Sequence, residues 1–196
     1  MPYDEFKAML DLLASLFFNG RTGVLVLLLV GAAAVDYRSH RIPNGLVLSG
    51  ALYAVTYSTV LPPWPNGTIL FPLAGLGLGL LLFLPLYLLR AMGGGDVKLL
   101  AMVSAFLGPD DVWRAAVASL IAGGVLAIVF ILVNGTALRM YHNLTSIFRL
   151  GLLDTMGGSV PSLRISAGAS AGRLPYGVAI AIGTLGYLVL DRLAFI

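Results

Sequence analysis

Gly93-Gly94-Gly95-Asp96-Val97-Lys98 is a glycine run that closes on a carboxylate, with a lysine two residues further on. Apolar segments of membrane-spanning character flank it on both sides. A carboxylate in such a setting is costly, and it marks a functional site more often than not. The rest of the chain supports the membrane setting. Of its 196 residues 59% are hydrophobic and only 11% charged, against roughly 25% charged in soluble domains. Mean hydropathy is +0.95. A soluble fold could not cover that much apolar surface. The expectation is an all-α, polytopic membrane helix bundle, since a spanning helix satisfies its own backbone hydrogen bonds.

Working outward, the pattern predicts about six transmembrane helices in a single membrane-embedded domain covering 1–196. Residues 4–18 place Phe6, Met9, Leu10, Leu13 and Phe17 on one helical face. They read either as a helix on the membrane surface or as a lead into the first span. That span covers 22–35 and stops at Asp36. A polar loop, 37–45, ends in a turn signal, and a second span covers 46–61. The third, 69–89, carries Pro85, which should kink it. Its Gly75 and Gly79 permit close helix approach. The fourth starts at Asp96 and runs to 107, where Gly108-Pro109-Asp110-Asp111 ends it. The fifth covers 112–133 and the last 175–190. Between these two lies a long polar stretch, 134–173, in which 137–153 could form a surface helix. No cleavable signal peptide is expected, because Asp4 and Glu5 precede the first apolar run.

Positive residues set the expected orientation. Arg38 and Arg41 lie in the first loop, Arg90 and Lys98 in the third, and Arg139, Arg149, Arg164 and Arg173 in the fifth. The positive-inside rule makes these loops cytoplasmic, which leaves both termini outside. Asp36 and Asp96 then sit at the cytoplasmic ends of two helices. Both helices look short, about 18–22 Å at 1.5 Å per residue, against a hydrocarbon core of about 30 Å. Both carboxylates would be sunk in a recess open to the cytoplasm.

Two acids at one depth on separate helices suit general acid–base chemistry. One carboxylate takes a proton from water while the protonated partner polarises a carbonyl. The glycines before Asp96 would leave room for an extended peptide and permit unusual dihedrals. Other readings use the same residues. Asp96 stands at an N-cap position, and Asp36 with Arg38 could be an interfacial charge cluster. Paired acids also carry protons, so a proton-coupled transporter using Asp36 and Asp96 is the alternative function. A purely structural subunit is a third reading. Lys98 in a first turn opposes the helix dipole. Asp96 or a substrate carboxylate could compensate it, or the lysine could snorkel to the surface.

These residues resemble the motifs of the type IV prepilin peptidases, a family of membrane-embedded aspartyl proteases. The glycine run is similar to the family's G-x-G-D-x-K motif. Asp36 followed by Arg41-Ile42-Pro43-Asn44 looks like its first aspartate motif, and Leu174-Pro175-Tyr176-Gly177 like the segment that opens its last helix. The resemblance implies an aspartic endopeptidase that cleaves the leader of prepilins, or pilin-like precursors, at the cytoplasmic face of the bacterial inner membrane. It implies Asp36 and Asp96 as the catalytic pair. Gly93, Gly95 and Lys98 would shape the substrate site, and Pro43 and Asn44 would fix the turn after the first acid. Longer members add a domain with zinc-binding cysteines that methylates the new N-terminus. This chain has no cysteine, so methylation is not expected. It resembles the short, peptidase-only branch associated with tight-adherence (Flp-type) pili. The G-x-G-D motif is also similar to that of presenilin-like proteases, which the I-P-N segment and six spans fit less well.

No cofactor, metal or nucleic acid is expected; the expected partners are the prepilin and the lipid bilayer, with oligomer formation left open. His40 and His142 lie in different loops, which argues against a metal site, though His40 could tune Asp36. Gly168-Ala169-Ser170-Ala171-Gly172 matches a serine-hydrolase elbow, but it lacks the strand and helix that motif needs. Three Asn-x-Thr triplets, at Asn66, Asn134 and Asn143, are moot as glycosylation sites in a prokaryotic family.

Overall fold

The computed structural model describes residues 20–60, 69–89, 92–133 and 175–193. The expected N-terminal surface helix, the uncharged loop, Arg90, the long polar stretch before the last span and the serine-elbow match lie outside these residues. Six α-helices are described: α1 Gly20–Ser39, α2 Asn44–Val60, α3 Leu70–Leu88, α4 Gly94–Leu107, α5 Val112–Val133 and α6 Tyr176–Leu193. Four of them, α1, α3, α5 and α6, are long and apolar enough to cross a membrane. Among the described residues every regular element is an α-helix, as the composition predicts.

By contact, the described residues up to Gly124 and from Pro175 onward form one compact unit, and the last turns of α5, from Val125, belong to a second. In the second unit the apolar Val125, Ile128, Val129, Leu132 and Val133 are all exposed, as in a helix that meets lipid.

The first unit is built around its shortest helix. α4 has 14 residues, and ten of them are buried. It packs against α1, α2, α3 and α6. Beyond Lys98, α4 is apolar on every face but for Ser104, and such a helix is stable only when enclosed. Glycines let its neighbours approach. A Cβ on Gly75 or Gly79 of α3 would run into Ser104 of α4, and one on Gly50 of α2 would run into Met102. The Gly75-x-x-x-Gly79 spacing thus makes the close approach expected of it. Ser104 is fully buried, and its hydroxyl is satisfied by donating to the Leu100 carbonyl at 2.7 Å. Gly108 ends α4 with φ 83°, in the left-handed region that glycine tolerates.

The boundaries correct two expectations. α1 does not stop at Asp36 but continues to Ser39, one turn further. With 20 residues it spans about 30 Å, so it is not a short helix. α4 begins at Gly94 rather than Asp96. It covers about 21 Å and is short, as expected. Pro85 lies inside α3 near its end, where the chain resumes helical bonding from Leu89 N–H to the Pro85 carbonyl at 2.9 Å.

Candidate active site

Asp36 lies on the buried stripe of α1, in register with Leu25, Leu29 and Ala32. That four-and-three spacing carries it onto the face that meets the other helices. Its peptide bonds are held by helix geometry, and the helix ends just beyond it. His40 adopts φ 48° and donates its N–H to the Asp36 carbonyl at 2.8 Å. The His40 side chain is exposed and makes no hydrogen bond to the Asp36 carboxylate among the described residues. The Asp36 carboxylate is instead anchored by a residue 141 positions away. Gly177 N–H, in the first turn of α6, donates to Asp36 Oδ2 at 2.7 Å. A Cβ on Gly177 would stand 2.8 Å from that oxygen, so only glycine lets the amide reach it.

Asp96 is the third residue of α4, and Gly93 is the N-cap. Gly93 N–H donates to Asp96 Oδ2 at 3.1 Å. The carboxylate therefore satisfies a free donor at the helix start and lies at the positive end of the helix dipole. The expectation of Asp96 at the cap position itself is off by three residues. Gly93 has φ −77° and ψ 151°, an ordinary extended conformation, and Gly94 and Gly95 are already helical. The glycines are not needed here for unusual dihedrals. They are needed for contact. A Cβ would meet Asp96 Oδ2 at 3.1 Å from Gly93, Tyr87 at 3.3 Å from Gly94 and Ile42 at 3.4 Å from Gly95. The space beside the glycine run is thus filled by the protein's own side chains.

Ile42 brings the first motif against the second. Pro43 precedes α2 and accepts a bond from Val47 N–H at 3.3 Å. Asn44 opens α2, and its Oδ1 accepts a hydrogen bond from Lys98 Nζ at 3.1 Å. Lys98 therefore neither pairs with Asp96 nor merely reaches for solvent. Its exposed ammonium ties the start of α2 to the first turns of α4.

Asp36, Asp96, Gly177, Gly93, Asn44 and Lys98 all belong to one end of the first unit. Asp36 and Asp96 are 4% and 8% exposed, so the expected open recess does not reach either carboxylate here. They are close enough for the charge of Asp36 to act on Asp96. Each uses Oδ2 to accept a backbone N–H, and among the described residues each Oδ1 takes no hydrogen bond.

Comparison with known proteins then gives the arrangement a family. The profile of the Type IV leader peptidase family matches residues 23–132. This is more than half of the chain and includes both aspartates, Pro43-Asn44 and the whole glycine run. The chain belongs to the Type IV leader peptidase family. No curated protein and no solved structure matches it. Membership makes the chain an aspartic prepilin peptidase, a multi-pass membrane protease acting on prepilin leaders. Gly177 lies beyond the matched residues. Its place beside Asp36 could be suspected only from the Pro175-Tyr176-Gly177 segment, and Ile42 only from its position between Asp36 and Pro43.

Proposed function

We propose that Asp36 and Asp96 are the catalytic pair of this leader peptidase. The observation that carries the reading is that two buried carboxylates from different helices lie at one end of the unit, each anchored through one oxygen by a glycine amide. The ionised member of the pair takes a proton from water. The resulting hydroxide equivalent attacks the scissile carbonyl while the protonated member donates its proton to the carbonyl oxygen; the acid that took the proton from water then passes it to the leaving amine as the C–N bond breaks, and the hydroxyl of the tetrahedral intermediate returns a proton to the other acid. Gly177 and Gly93 position the two acids through their amides. Lys98 and Asn44 tie the start of α2 to α4, with Gly95 and Pro43 setting how closely the two motifs approach.

We further infer that the site faces the cytoplasm of a bacterial inner membrane, that both termini lie outside, and that all 196 residues form one domain. The positive residues at the acid end support this orientation. The substrate we propose is an Flp-type prepilin, supported by the resemblance of the motifs to the peptidase-only branch. Family membership favours the peptidase over the proton carrier.

Co-expression with an Flp-type prepilin tests the reading, followed by mass analysis of the pilin. Wild type should release the leader, and Asp36→Asn and Asp96→Asn should leave it attached while still inserting. Cleavage of other prepilins but not the Flp-type would overturn the substrate class and leave the pair standing.

A further inference from the structure

The first unit carries a groove that the chemistry at Asp36 and Asp96 does not use. It is a cavity of about 380 Å³ between α2 and α3, both of which pack on α4. Its apolar lining includes Leu48 and Ala51 of α2, Leu76 and Leu80 of α3, and Ala101 and Met102 of α4. Asn44 and Lys98 also line it, joined by the hydrogen bond that ties α2 to α4. Asn44, Val47, Leu48 and Ala51 share one face of α2, and Lys98, Ala101 and Met102 one face of α4. The groove therefore runs along the helices for about two turns, or about 10 Å, with Asn44 and Lys98 at one end.

Position and charge together say what fits it. Lys98 follows Asp96 by two residues, and Asn44 follows Ile42, which packs against Gly95. The polar end of the groove thus adjoins the acid site, and a chain held in the groove leads to the acids. Among the described lining residues Lys98 carries the only charge. Its hydrogen bond goes to a neutral amide, and among the described residues it forms no ion pair. An apolar slot with one unbalanced cation at its end suits an apolar segment that carries a carboxylate there. Leu48 and Leu80 are exposed at the rim, so the slot is open from outside the bundle. Ala51 and Ala101 line it with little bulk, which lets a helix backbone come close. A lipid tail gains nothing from such an approach.

We propose that this groove docks the apolar helical segment of the prepilin that adjoins the scissile bond, with an acidic residue of that segment against Lys98. The proposal rests on the peptidase reading and extends it to the membrane part of the substrate.

The test uses the purified full chain in detergent micelles with an Flp-type prepilin. Ala51→Trp fills the groove and should raise KM about tenfold or more, with a smaller effect on kcat, as lost binding does. Leu82→Trp, exposed and two residues on from Leu80, is turned away from the groove and should change neither. Lys98→Gln and neutralisation of the prepilin's acidic residue should each raise KM about threefold, and together no further. Cross-linking keeps the test decisive if Ala51→Trp does not fold. The chain has no cysteine. In the Asp96→Asn background, Leu48→Cys should form disulfides with single cysteines of the prepilin that recur at helical spacing along its apolar segment, and Leu82→Cys should form none. Normal cleavage with no cross-link at Leu48→Cys overturns the proposal and leaves the peptidase standing. So does a phospholipid occupant, seen as a saturable rise in Tm with phosphatidylglycerol that Ala51→Trp removes while KM stays unchanged. No prepilin cleavage by wild type would sink the peptidase reading and this proposal with it.

Discussion

Gly177 has no side chain to offer, yet its amide is the group that fixes Asp36. Gly177→Ala places a methyl 2.8 Å from Oδ2 and 3.0 Å from Cγ of the carboxylate, so the acid has to turn away. The hydrogen bond lost is charge-assisted. The expected outcome is a 10- to 100-fold drop in kcat for leader cleavage, read in a purified assay. Lys98 acts at one remove. Lys98→Met removes its bond to Asn44 at an exposed position, so stability should fall by no more than about 1 kcal/mol. Asn44→Ala should match it, and the double variant should add nothing, because both delete one interaction. At this scale both acids were legible in the sequence, since a carboxylate among apolar helices stands out. Their anchors were not. Gly93 is local to Asp96, but Gly177 reaches Asp36 across 141 positions, and spacing carries no trace of that contact.

Among the elements, α4 is the one on which the site depends; it buries Leu99, Leu100, Met102 and Phe106 in the core, and glycines set its close approach to α3. Gly79→Ala drives a methyl into the buried Ser104, which is enclosed and cannot step aside. Overpacking of this kind costs about 1–3 kcal/mol. Gly77→Ala on the same helix meets nothing within 4 Å and should be tolerated. Thermal unfolding of the two variants side by side checks the contrast. Element boundaries were readable where a polar residue meets an unbroken apolar run, as at Val112 after Asp111. A charge reads as a helix stop, which puts the expected end of α1 at Asp36. Here that charge is buried on the helix's inner stripe and satisfied from another helix, so the run continues to Ser39. Glycines read as loop, which puts the expected start of α4 at Asp96, whereas Gly94 and Gly95 are helical.

On the scale of the whole molecule, the described helices place the acid pair at one end and the turn from α4 to α5 at the other. The proposed orientation puts the first in the cytoplasm and the second outside. The chain has no cysteine, so single cysteines report sidedness directly. Ser39→Cys should react with an impermeant maleimide only in inverted vesicles, and Asp110→Cys only in intact cells or spheroplasts. The opposite pattern would reverse the orientation.

The claim that Asp36 and Asp96 work as a unit is tested most directly by the cleavage rate of purified Asp36→Asn, Asp96→Asn and the double variant on one prepilin. Groups acting together are strongly non-additive. Each single variant should lose at least about 10²- to 10⁴-fold, the range for general acid–base catalysis, and the double variant should be no slower than either. A single variant that cleaves at the wild-type rate, or two losses that multiply in the double, would contradict the account.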